Sequence, residues 1–250
     1  MPAAKKKTAS RAKAKAGKPV KRKAAPRGRQ PGATTPRGHQ PGAAAPRGRQ
    51  PEVTRRNILE AALVEFAAKG LAGARVDEIA ARSGSNKRMI YEYFGNKEGL
   101  WLTVLEAAYT RMREEEHAID VARMKPMDGM RYLMEFNFRF CARNPEFIAL
   151  LSSENLHQAS YLRGSEKVQK LYSPLLAVIR DLLDRGQREG VFRKGIDPVH
   201  VYLTIASLGT CYFSNIHTLS TIFGRSLDSQ AELKARTEHC VAVLLGYLRA

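Results

Sequence analysis

Residues 54–101 read TRRNILEAALVEFAAKGLAGARVDEIAARSGSNKRMIYEYFGNKEGLW, and the fold is decided there. The stretch opens on Thr54, a residue type that caps helix N-termini, and its first apolar stripe stops at Gly70, a natural helix end. Ile58, Ala62 and Phe66 recur at helical spacing with Leu59 and Leu63 alongside, so one face is built for a core. A second helix is expected over about 76–82, with Val76, Ile79 and Ala80 inward. Ser83, Gly84 and Ser85 make a turn, Asn86 caps a third helix running to about Tyr93, and Asn96 caps a long fourth. Two short helices across a Gly-containing turn are the helix-turn-helix arrangement. The first turn of its second helix offers Asn86, Lys87, Arg88 and Met89, where a recognition helix meets base edges and phosphates. A solvated basic turn on an ordinary helical domain has the same spacing.

The wording of the stretch goes further than its spacing. The ordered run Ile79-Ala80, Gly84, Tyr91, Tyr93-Phe94, Lys97-Glu98 and Leu100, with Ile58, Ala61-Ala62, Phe66, Gly70 and Val76, resembles the N-terminal domain of the TetR/AcrR family of transcriptional regulators. The likeness covers about 50 of 250 residues. It implies a DNA-contacting set of Thr54, Arg75, Ser85, Asn86, Lys87, Arg88, Met89, Tyr91, Tyr93 and Lys97. Tyr93 and Lys97 match phosphate-holding positions, Lys97 at a helix N-terminus where anions bind readily. Thr54 would cap first and touch phosphate second, and Tyr91 would either pack at the domain centre or reach the DNA backbone. Three residues depart from the family pattern. Arg75 replaces the usual Thr or Ser, so it can bind phosphate but cannot cap in the same manner. Ser85 replaces an apolar residue, and Arg88 stands where Gly is common. A large cation at that groove-facing position points to guanine reading by Arg88.

Downstream the pattern stays helical, so the fold class is all-α: a three-helix DNA-binding domain over 52–98 and a larger helical body over 99–250. Asp128 is expected to open a fifth helix, Asn144-Pro145 a sixth, and 165–189 a long one containing Pro174. Ser229 and Glu232 form a capping box for the last helix. The helices expected at about 198–213 and 229–249 are too apolar for simple surface helices. The resemblance implies that this pair forms a homodimer interface. The middle helices would enclose an effector pocket drawing on Trp101, Tyr132, Phe136, Asn137, Phe140, His157 and Tyr161, aromatic bodies with a few polar groups. Ordinary core packing is the competing role for each. The segments ENLHQASYLRG, LLDRGQREGVFR and SLGTCYFSNIHTLSTIFG resemble the ligand domain of the branch that regulates pyrimidine and nitrogen-heterocycle catabolism. That likeness implies a small planar heterocycle or acid as effector.

Charge is distributed very unevenly. Residues 1–51 hold 15 Lys and Arg and no acid, while the remaining 27 basic residues face 24 acids, so the arm carries nearly all of the +18. Such a segment cannot bury enough apolar area to offset its ordering entropy, and it reads as a disordered basic arm. It contains three PRG(R/H)QP repeats, starting at Pro26, Pro36 and Pro46. A semi-extended linker, nonspecific phosphate attraction and a localisation signal are all open readings. So is minor-groove insertion of Arg27, Arg29, Arg37, Arg47 and Arg49, since Arg-Gly-Arg between prolines resembles an AT-hook.

Other classes drop out. No apolar run approaches the length of a membrane span, and no apolar stretch follows the basic N-terminus as a secretory signal requires. Cys141, Cys211 and Cys240 are odd in number and widely spaced, which favours neither disulfides nor zinc and suits a reducing cytoplasm. No nucleotide, hydrolase or metalloprotease motif appears, and the six histidines show no ligand spacing. The expectation is a cytoplasmic, nucleoid-associated, homodimeric regulator and not an enzyme, probing double-stranded DNA with no cofactor, metal or membrane partner. It would act as a repressor on a palindromic operator, released by a small molecule. The alternative is an architectural nucleoid protein working mainly through its arm.

Overall fold

The computed structural model describes residues 51–118 and 120–250. The basic arm and its five minor-groove arginines therefore lie outside the described residues. The first helix, α1 (Pro51–Gly73), buries the whole periodic stripe of Ile58, Ala62 and Phe66. Gly70 breaks it at φ 64°, and one further turn seats Leu71 in the core. Thr54 lies inside this helix and not at its cap; its side chain is 1% exposed and its hydroxyl has no partner.

Helices α2 (Val76–Ser83) and α3 (Lys87–Phe94) complete the helix-turn-helix. Gly84 ends α2 in the left-handed conformation at φ 61°, which costs glycine nothing. Asn86 then caps α3, its Oδ1 accepting from the Met89 amide at 2.9 Å. Arg75 precedes α2 without a side-chain cap. Instead Glu65, buried on α1, accepts the Arg75 amide at 3.1 Å and the Lys69 ammonium at 2.8 Å. The hydrogen bond from Lys69 holds the Glu65 carboxyl below the usual carboxylate range despite its burial.

The body consists of α4 (Lys97–His117), α5 (Pro126–Arg143), α6 (Pro145–Leu156), α7 (Glu166–Arg188), α8 (Pro198–Ser214), α9 (Ile216–Phe223) and α10 (Gln230–Leu248). Ser165 and Asp197 each accept a first-turn amide of α7 and α8, and two expected caps form: Asn96 and Ser229 do the same on their own helices. Two do not. Helix α5 starts at Pro126, leaving Asp128 within its first turn, because proline's fixed φ already suits the first helical position. Asn144 leads into α6 but turns its amide back to the Phe140 carbonyl at 2.8 Å, closing α5. Helix α9, a short apolar helix between the two expected C-terminal ones, is an addition to the elements expected from the sequence. Among the described residues the only extended pairing is a single antiparallel bridge between Phe192 and Arg249, so the fold is all-α. No helix of the described residues is long and apolar enough to cross a membrane.

Three hydrophobic clusters hold the chain together. One joins α1 to α4 and takes in Leu150 of α6, with Ile58, Phe66, Ile79, Ile90 and Trp101 at its centre. A second fills the space between α5, α7, α8 and α10 around Met134, Phe138, Ile179, Val201 and Leu244. The third is aromatic and lies between α4, α5 and α6, with half-buried residues of α7 against it.

Candidate DNA interface and effector cluster

The recognition turn follows from local chemistry. Asn86 spends its side chain on the cap, which leaves the side chains of Lys87 and Arg88 exposed on the first turn of α3, with Met89 half-buried beside them. Ile90 and Phe94 face inward and fix the helix's rotation. Lys87 is held by Asp77 of α2 at 2.6 Å, and Arg75 lies 3.9 Å from the same carboxylate. Tyr91 is 45% exposed, so of its two expected roles core packing does not apply. Tyr93 is half-buried with its ring 6.1 Å from Phe94. Lys97 opens α4 and donates to the Ala72 carbonyl at 3.3 Å, which pins the start of α4 against the end of α1. Ser85, half-buried in the turn, has a hydroxyl without a partner. Arg75, Lys87, Arg88 and Tyr91 thus share one solvent-facing surface, and Thr54 is the single member of the expected set that is fully buried.

The expected pocket residues divide into two groups. Tyr132, Phe136 and Phe140 stack in succession along α5, with centroid separations of 6.2 and 6.0 Å, and Asn137 sits buried on the same helix. Trp101, His157 and Tyr161 lie elsewhere. Trp101 is packed edge-on to Phe66 at 5.1 Å and donates its indole N–H to Glu154 Oε2 at 2.9 Å. The other oxygen of Glu154 accepts the amides of Tyr161 and Leu162, each at 2.9 Å. His157 is exposed at the end of α6, its ring 6.1 Å from that of Tyr161. These residues form a joint: Glu154 ties α4, which continues from the DNA-binding helices, to α6 and the loop after it.

Several residues of the aromatic cluster were not anticipated. Tyr109 of α4 meets Phe147 at 5.4 Å and Tyr172 at 6.0 Å, and Tyr172 meets Tyr202 at 5.4 Å. Burial pushes the Tyr109 hydroxyl up to about 12 and raises Tyr172 and Tyr202 as well, so all three stay neutral donors. Arg113 and Glu116 are buried among them. The signal was present in the sequence: Tyr109, Met112, Arg113 and Glu116 fall on one helical stripe. In the run RMREEEH, however, a charged pair reads as solvent-facing.

A further surface runs along the C-terminal helices. Val199 and Leu203 lie one turn apart on α8, and Val243 and Tyr247 one turn apart on α10; all four are exposed apolar side chains. Helix α9 adds exposed Ile222 and Phe223. A cleft of about 500 Å³ opens between Cys211, Leu219, Phe223, Arg225 and Arg236, beside α9.

A helix-turn-helix with a basic recognition turn, carried on a larger all-α body with an aromatic interior, defines a helix-turn-helix transcriptional regulator. Comparison with known proteins gives the family. Residues 58–104 match the bacterial regulatory proteins of the tetR family, and residues 126–244 match the tetracyclin repressor-like C-terminal domain. The chain is 40% identical over 180 residues to the HTH-type transcriptional repressor NicS of Pseudomonas putida, covering 72% of this chain and 85% of that protein. It is 35% identical over 159 residues to the repressor SCO4008 of Streptomyces coelicolor, covering 62% and 76%. Among solved structures, FadR of Bacillus subtilis, in complex with stearoyl-CoA, shares the fold at a TM-score of 0.58 and 18% identity, over 78% of this chain and all of that one. The chain belongs to the TetR family of transcriptional regulators, whose members bind DNA as dimers and respond to small molecules.

Proposed function

We propose that this protein is a cytoplasmic repressor that binds a palindromic operator as a homodimer through α8 and α10 and is released by a small planar heterocycle or acid. The observation that carries this reading is the continuity of α4. It starts at Lys97 against the DNA-binding helices, passes through the Trp101–Glu154 joint, and ends among the aromatic residues of the body. A ligand that prefers a different placement of α4 and α6 moves the recognition helices with them. DNA selects dimers whose two α3 helices match half-sites roughly 34–36 Å apart, and the ligand draws the population away from that spacing.

Arg88 reads bases, while Lys87, Arg75, Tyr93 and Lys97 hold phosphates, with Tyr91 at the groove edge. The exposed apolar stripes on α8 and α10 support their role as the dimer face. The arm adds affinity and on-rate through its charge, with nonspecific phosphate contact as its main part. Both family matches fall on the folded body, and NicS and SCO4008 are named as repressors, so an architectural role centred on the arm gains no support. Footprinting the full chain on the DNA upstream of its own gene tests the proposal. A protected, two-fold symmetric site occupied by one dimer is expected, and diffuse protection without symmetry would overturn it.

A further inference from the structure

Arg113 of α4 is 2% exposed, yet its bonding is incomplete. Its Nη1 donates to Glu116 Oε2 at 2.6 Å, its guanidinium carbon lies 5.0 Å from the centre of the Tyr172 ring, and its Nε has no partner. Buried charges are ordinarily paired and fully hydrogen-bonded, because an open N–H in an apolar setting forfeits the hydration it had in water. Glu116 is a weak counter-charge. Burial pushes its carboxyl up to about 7, against the pull of Arg113, so near neutral pH a large share of it is uncharged. The cluster thus holds a cation whose charge is only partly answered.

A second orphan lies in the same set of helices. Asn137 is buried on α5 and its Oδ1 has no partner. Helix α8 approaches it so closely at Gly209 that a Cβ there would collide with that oxygen. Tyr202, on the same helix as Gly209, sets its ring 5.4 Å from that of Tyr172, which lies against Arg113. The cluster therefore presents an unanswered cationic donor and an unanswered acceptor, with the rings of Tyr109, Tyr172 and Tyr202 beside the former. Tyr132, Tyr172 and Tyr202 are only half-buried, so its edge reaches solvent.

We propose that Arg113 is the anion anchor of the effector site, and that the effector is a small planar monocarboxylate whose ring lies among Tyr109, Tyr172 and Tyr202. This rests on the reading of the body as an effector-binding domain. A guanidinium grips a carboxylate through two parallel N–H bonds, and the open Nε supplies one prong that Glu116 leaves free. Flat rings set edge-on to one another accept a flat guest, and an N–H or O–H on its far side would answer Asn137. Opening the cluster to admit the ligand would displace α4, the helix through which the proposed release acts.

The test is thermal shift and DNA release on the full chain with benzoate, 4-hydroxybenzoate and indole-3-carboxylate, each against its carboxamide. At least one acid is expected to stabilise the protein and release DNA where its amide does neither. Arg113→Gln is expected to weaken that acid's binding by about tenfold or more. Glu116→Gln removes the competing carboxylate and keeps a hydrogen bond, so it is expected to tighten binding severalfold, which decides the matter if Arg113→Gln does not fold. Equal effects of acids and amides, no effect of any acid, or unchanged or weaker binding by Glu116→Gln would overturn the proposal. A chain without preference for its upstream DNA would sink the repressor reading instead, while an acid-over-amide contrast in thermal shift would still stand.

Discussion

Arg88 and Lys97 are both cations of the proposed DNA surface, and the proposed function gives them different work. Arg88 is exposed on the first turn of α3, free of any ion pair among the described residues, whereas Lys97 is tied to a main-chain carbonyl at a helix N-terminus. Replacing Arg88 with Ala should cost about 1–3 kcal/mol on the operator and relax the preference at one base position, measured by binding to a set of singly substituted sites. Replacing Lys97 with Ala should weaken binding to all sequences alike and lower the salt slope by about 1. Glu116 gives a prediction of another kind. Its carboxyl titrates near 7 in the fold against about 4.5 in the unfolded chain, so the folded state holds the proton more tightly. Its contribution is therefore fully present below about pH 4.5 and is lost as pH rises through 7. Glu116→Gln should flatten the fall in stability between those values, and urea unfolding at pH 5 and pH 7.5 would show it. Single residues were where sequence reasoning reached least far. Thr54 has the chemistry of a cap but sits inside α1, and the inward turn of Arg113 and Glu116 is hidden within a run of charges.

At the scale of elements, α6 bridges two clusters. Leu150 and Glu154 on it belong with the DNA-binding helices, while Phe147 and Ile148 belong to the aromatic cluster. Glu154→Ala would leave the Trp101 indole and two backbone amides without partners in buried or half-buried positions. A loss of about 1–3 kcal/mol or more in unfolding free energy is expected. Trp101 is the single tryptophan of the chain, so its fluorescence reports this joint alone. An effector that acts through α6 should shift that emission in the wild-type protein, and a ligand that releases DNA without moving it would argue for another route. The helices themselves were largely legible, because apolar periodicity, capping residues and Gly or Pro punctuation agree along most of the chain. The helix-turn-helix was legible to within a residue, since Gly84, Asn86 and Asn96 do locally what their chemistry favours. Helix α9 was missed because IHTLSTIF is short and continues an apolar run from α8, and only Asn215 marks the break. Trp101, His157 and Tyr161 were grouped with the pocket because composition does not say which of two neighbouring clusters an aromatic residue joins.

At the scale of the whole molecule, the proposed function has two surfaces act together: the recognition turns and the apolar stripes of α8 and α10. Placing Glu at Leu203 and at Tyr247 should yield a folded monomer by light scattering, with operator affinity reduced to the level of a single half-site. In the proposed function the basic arm adds electrostatic reach to whatever the body selects. The central claim is that selection resides in the folded body, and binding across a salt series tests it most directly. The full chain would be compared with residues 51–250 on the upstream DNA and on a scrambled duplex of the same length. The account predicts that both proteins prefer the upstream DNA, and that removing the arm lowers affinity and the salt slope on both duplexes alike. Loss of that preference together with the arm would contradict it.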